Sequence, residues 1–128
     1  MSNIGPVGGS QGPSPAHFPN SPIAQARADS SALAEAFNQL REDVEAGKDI
    51  SKDQQKITQL INKLGDDLSK MPFQNSPKMK EVTKEYQTMV DTYNQFCQNK
   101  NDPNMAPGLA VFTYQSAVDL SNQLNKMI

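Results

Sequence analysis

Cys97 and His17 are the only thiol and the only imidazole in the chain, so together they are its one candidate nucleophile and base. Such a pair works only if the imidazole is held beside the thiol. His17 lies in a stretch with little to hold it, since residues 1–28 carry five of the nine prolines and four of the seven glycines. Asp66 and Asp67, and the cluster Glu42, Asp43 and Glu45, are the candidates for acid–base or metal chemistry. Neighbouring positions on a helix do not face one another, and no second histidine or cysteine completes a ligand set, so these carboxylates read as solvated helix faces. The glycines of GPVGGSQG follow no strand and precede no Lys-Ser/Thr, which excludes a phosphate loop or a dinucleotide fingerprint. The chain therefore reads as a non-enzyme: no catalytic, cofactor-binding or metal residues, no cofactor and no small-molecule substrate.

With catalysis set aside, composition narrows what the chain can contact. Across 128 residues the net charge is -2, and no basic stripe is present, so a nucleic-acid partner is not expected. No uninterrupted apolar run approaches the ~18 residues of a transmembrane segment. The N-terminus has no basic start followed by an apolar core, so it does not read as a general secretory signal. Residues 1–28 hold few large apolar side chains to offset the entropy of ordering them and are expected to be disordered. Residues 29–128 form the expected helical interaction region.

In that region apolar residues recur at helical spacing. Leu33, Phe37, Leu40 and Val44 predict a helix over about 30–46, with Asp29, Ser30 or Ser31 as its cap and Gly47 at its end. Ser51 and Gln54 read as a capping box ahead of Ile57, Leu60, Ile61, Leu64, Leu68 and Met71, with Gly65 a point of kinking or close packing and Pro72 past the end. Ser76 and Pro77 open a third helix bearing Met79, Val82, Tyr86, Met89, Tyr93 and Phe96. The linker PFQNSP is short enough to fold the second and third helices into an antiparallel hairpin. A fourth helix is expected from near Pro107 to the end, with apolar residues on more than one side. The fold class is all-α: a disordered N-terminal segment, then three to four helices with a central antiparallel helical hairpin.

From Tyr86 to Asn99 the third helix carries only Asp91, and the fourth carries only Asp119 and Lys126. Uncharged polar side chains are cheaper to bury at a contact than ions. The expected protein-interaction residues are therefore Tyr86, Met89, Val90, Tyr93 and Phe96 on the third helix, and Leu109, Phe112, Val118, Leu120, Leu124, Met127 and Ile128 on the fourth. The alternative is that these two helices are the centre of an ordinary closed bundle.

The proline- and serine-rich start MSNIGPVGGSQGPSP, the helix-turn-helix and the apolar C-terminal helix resemble export substrates of bacterial type III secretion systems. Within that group, LINKLGDDLSKMPFQNSPKMKEVTKEYQTMVDTYNQF resembles the needle and inner-rod subunits, with Asn75, Ser76 and Pro77 in the loop and Tyr93 and Asn94 in the second helix of the hairpin. About thirty residues after Phe96 and a long N-terminal part depart from a needle subunit. The resemblance implies a self-associating rod or needle-like subunit whose partners are its own copies and other apparatus proteins. It also implies export without a signal peptide to the bacterial cell envelope or a surface apparatus. A cytoplasmic chaperone, adaptor or regulator that binds one protein partner would share the same helices and charge.

Overall fold

The computed structural model describes residues 21–127, which form α1 (Pro22–Ala46), α2 (Ser51–Ser69), α3 (Pro77–Gln98) and α4 (Ala106–Lys126). The part of the expected disordered segment at 1–20 lies outside the described residues. Its remainder does not follow the expectation, because α1 begins at Pro22. Ser21 accepts a hydrogen bond from the Ala24 amide at 3.2 Å and Pro22 occupies the first turn, as Ser76 and Pro77 do at α3, where Ser76 accepts from the Met79 amide at 3.1 Å. Asp29 and Ser30, expected as caps, are therefore buried positions in the helix interior.

Gly47 ends α1 as expected, in a left-handed conformation at φ 70. Its amide donates to the Val44 carbonyl and the Lys48 amide to the Asp43 carbonyl, the paired closure that satisfies the last free carbonyls of a helix. The expected capping box at Ser51 and Gln54 does not form. Ile50 is the cap residue, the Ser51 amide and hydroxyl both donate to Asp49 Oδ1, and the Gln54 side chain reaches instead to Cys97 Sγ on α3 at 3.6 Å. At the far end of α2, Gln74 Nε2 donates to the Leu68 and Met71 carbonyls.

Each helix runs antiparallel to the next, and the four sit in chain order around one core, α4 closing back on α1. The closest approaches of backbone are α1 to α4, α1 to α2 and α3 to α4; α2 and α3 meet chiefly through side chains. Phe37, Tyr93 and Phe96 fill the middle, with Phe37 edge-on to Tyr93 at 5.5 Å between ring centres and Tyr93 stacked on Phe96 at 6.3 Å. Leu33, Leu40, Ile57, Leu64, Met79, Met89, Leu120 and Leu124 pack around them, all fully buried. Arg27 ties the ends of the ring together: its Nε donates to the Leu124 carbonyl at 3.0 Å and its guanidinium also reaches the Met127 carbonyl. A cation donating to the last carbonyls of α4 also complements the negative end of that helix.

Gly65 is a point of close packing. The Tyr86 hydroxyl donates to the Ile61 carbonyl at 2.9 Å and passes directly over Gly65, so a Cβ there would lie 2.6 Å from Tyr86 Oη and 3.3 Å from Cζ. Replacing a helical glycine by alanine ordinarily gains up to about 1 kcal/mol, but here the added methyl must displace Tyr86 and break its hydrogen bond. Gly65→Ala is expected to destabilise the protein by about 1 kcal/mol. In a Tyr86→Phe background the same change should cost far less or become favourable, a coupling that denaturant melts of the double-mutant cycle would reveal.

Candidate interaction surfaces

Eleven of the twelve expected interaction residues fall within the described residues; Ile128 does not. Met89, Tyr93, Phe96, Leu109, Leu120 and Leu124 are buried in the chain's own core. Tyr86, Val90 and Met127 are partly buried against it, and Val118 is half-buried. Phe112 stands apart at 60 % exposed. The reason lies in the position of α4 between α1 and α3. Two neighbours take up its apolar residues on two sides, so a helix that is apolar more than halfway round is satisfied inside one bundle.

What the bundle leaves in water is small and specific. Besides Phe112, the large apolar side chains held out among the described residues are Phe73, 72 % exposed, and Met105, 47 % exposed. Met105, Gly108 and Phe112 fall at i, i+3 and i+7 and so share one side of the first turns of α4. A Cβ built on Gly108 meets nothing within 4 Å, so the helix surface between Met105 and Phe112 is open there. Phe73 sits at the other end of the bundle, in the loop between α2 and α3, at a φ of 65. That conformation costs a side-chain-bearing residue about 1–2 kcal/mol relative to glycine. Phe73 and Met105 belong to no helical seam, which is why periodicity passes over them.

Two carboxyl pairs lie across the α1–α2 contact, one toward each end. Asp29 and Asp67 are 7 % and 4 % exposed, face each other in hydrogen-bond contact, and leave one oxygen each without a partner. Lys63 Nζ approaches Asp29 Oδ1 at 3.5 Å. Burial, then the facing Asp29, pushes Asp67 up to about 7, against a pull downward from Lys63 and a further push from Asp66. At the other end burial and the facing Asp43 push Asp53 up to about 6, with Asp49 adding to the rise and Lys56 opposing it. Two facing carboxyls ionise together only at a cost, so Asp67 and Asp53 hold a proton more tightly than usual, while the contact with Asp53 holds Asp43 below the ordinary value. Asp29 and Asp67, buried between two packed helices, have no open face for a substrate, so their effect is on the contact itself. The expectation of a solvated Asp67 is corrected by its place in the seam, three residues after Leu64; Asp29 likewise lies four before Leu33.

Between α2 and α3, where the backbones stand farther apart, a groove is lined by Ser51, Gln54, Gln55, Thr58, Gln59, Tyr93, Asn94 and Cys97. None of these side chains is normally charged. Burial pushes the Tyr93 hydroxyl up, with Cys97 adding to the rise and contacts to Thr58 and Gln54 opposing it, so Tyr93 is a neutral hydrogen-bonding group. Cys97 is half-buried in this polar network, and His17 lies outside the described residues. Among the described residues no group of three or more His, Cys, Asp or Glu side chains is placed to hold a metal ion, and no helix is long and apolar enough to cross a membrane. Compared with protein-family models, curated protein sequences and solved structures, the chain matches none.

The carboxyl pairs set the direction of pH dependence. Both raised groups bind protons more tightly folded than unfolded, where the ordinary value is 3.8. Their contribution to stability therefore falls as pH rises from about 4 to about 7 and is level above that. Asp67→Asn, which keeps a donor facing Asp29 without a titrating charge, should raise the melting temperature at pH 8 by a few degrees (~3 °C) and change it little at pH 5. A variant less stable than wild type at pH 8 would contradict a tightly held proton at this pair.

Proposed function

We propose that the chain is a structural, self-associating subunit, of inner-rod or needle-like type, of a bacterial type III secretion apparatus. In this reading it is exported without a signal peptide and acts at the cell envelope or surface, with its own copies and other apparatus proteins as partners. Its work is apolar contact and not chemistry. The observation that carries the self-association is the exposure of Phe73, Met105 and Phe112 on a bundle whose core is already filled. These side chains lie at two separate places on the bundle, and Met and Phe are enriched in the centres of protein contacts. The secretion context comes from the resemblance of the hairpin stretch and of the N-terminal composition.

A second reading is a small cytoplasmic chaperone or adaptor that takes one partner helix between α2 and α3. The wide groove there and its uncharged lining favour it, since a partner covering amides and hydroxyls desolvates no ion. Sedimentation of the full chain over a concentration series separates the two. Self-association gives species of rising mass at neutral pH, whereas an adaptor stays at one mass and co-purifies with a single stoichiometric partner. Export is tested separately: removal of residues 1–20 should abolish release from cells with an active type III system while leaving the helical bundle folded.

A further inference from the structure

The four helices are not equally held. Close backbone contacts join α2 to α1, α1 to α4 and α4 to α3, so α2 and α3 are the two ends of one series. At the α3 end the attachment is strengthened by Tyr93 and Phe96, which belong to the aromatic centre. At the α2 end only the aliphatic residues Ile57, Ile61, Leu64 and Leu68 enter the core. α2 meets α3 chiefly through side chains, and α4 lies across the ring from it. Its N-terminus has no side-chain cap, and the loops 47–50 and 70–76 separate it from its neighbours in the chain. Were α2 to leave, α1, α4 and α3 would keep both of their close contacts and the tie that Arg27 makes to the end of α4.

The one close contact of α2 carries facing carboxyls toward both of its ends, Asp29 with Asp67 and Asp43 with Asp53. Asp29, Asp67 and Asp53 each have a buried oxygen with no hydrogen-bond partner. Their charged neighbours do not make up the deficit. At the first pair Lys63 Nζ stands 3.5 Å from Asp29, and Asp66 adds a further negative charge. At the second, Lys56 lies near Asp53 and Lys48 near Asp43, and Asp49 again adds a negative charge. From α3 the titratable side chains that face α2 are Tyr86, Tyr93 and Cys97. Burial raises both tyrosines, which therefore stay neutral through pH 8. An ion left unpaired in a closed contact costs far more than the same ion in water. Ionisation of these pairs thus works directly against the packing of α2 on α1, and protonation lets one carboxyl donate to the other.

We infer that α2 is a pH-gated flap, which parts from α1 as a unit as pH rises from mild acid through neutrality while α1, α4 and α3 stay together. The gate does not depend on the self-association reading above. In the closed state burial and the facing Asp29 push Asp67 up to about 7, and burial and the facing Asp43 push Asp53 up to about 6. Both return toward the ordinary 3.8 once α2 stands in water. The closed state therefore binds protons that the open state does not, so opening becomes more favourable as pH rises from about 4 to about 7 and levels off above that. Asp43, held below the ordinary value by its contact with Asp53, titrates beneath this window. Opening uncovers Ile57, Ile61, Leu64 and Leu68 together with the side of the core they cover, and it breaks the hydrogen bond from Tyr86 to the Ile61 carbonyl. The flap thus exchanges a closed bundle for one with an apolar face that is hidden in acid.

Native-state amide hydrogen exchange on the full chain at about pH 5 and about pH 8 is the deciding experiment. Rates are read as protection factors, so that the intrinsic pH dependence of exchange cancels. Amides from Ile57 to Leu68 should be less protected than those in the centres of α1, α3 and α4. Their protection should fall on the order of tenfold to a hundredfold between the two pH values. The double variant Asp53→Asn, Asp67→Asn keeps a donor facing each partner carboxylate and has no charge to lose, so it should flatten most of that fall. α2 amides as well protected as those of α4 would mean that α2 leaves only when the whole bundle unfolds, which overturns the flap. Lower α2 protection that is the same at both pH values overturns the gate. These two results come from the wild-type chain and stand whether or not the variant folds. A pH dependence that survives the double substitution in a folded variant also overturns the gate.

Discussion

α4 places Leu109, Ala110, Thr113, Ala117, Leu120 and Leu124 in the interior, and that burial against α1 on one side and α3 on the other closes the bundle. Without it, α1 would keep only its contact with α2, and α3 would face α2 across the widest gap in the ring. The aromatic centre of Phe37, Tyr93 and Phe96 would then have one side open. Arg27 adds a directional tie to the same closure, since it binds the last carbonyls of α4 from the first turns of α1. A chain of this size has little apolar surface to spare, so closing the ring with its own fourth helix is what makes a single core feasible.

Closure also decides what remains for other molecules. The seam residues of α3 and α4 are committed to the interior, and a neighbour is offered the bundle's ends and the groove between α2 and α3. Exposed apolar side chains lie at two separate places, Phe73 in the loop between α2 and α3 and Met105 with Phe112 at the start of α4. The two carboxyl pairs act inside the α1–α2 contact. They make that contact tighter in mild acid than above neutrality, because Asp67 and Asp53 hold a proton more tightly than the unfolded chain does at the same pH.

Much of the helical framework could be read from the residues. Ser76 and Pro77 start α3, Gly47 stops α1 and Gly65 marks a close approach, because in each case a local rule has one physical solution. The same rule applied at Ser21 and Pro22 would have found the start of α1, but the proline-rich composition before it pointed to disorder and hid the signal. Asp29 and Asp67 escaped because charged residues usually face water; both nonetheless fall on the seam spacing. The destination of the apolar α4 was not legible at all, since burial against one's own helices and against a neighbour's demands the same side chains. Phe73 carries no periodic signal, and only the backbone of its loop shows it held outward.

The account turns on α4 being closed onto its own chain before any neighbour is present. Amide hydrogen exchange on the dilute, monomeric protein tests this directly. The account predicts that amides from Leu109 to Leu124 are protected to the same degree as those in the centres of α1 and α3, and that this protection does not depend on concentration. Unprotected α4 amides in the monomer, slowing only as concentration rises, would contradict it.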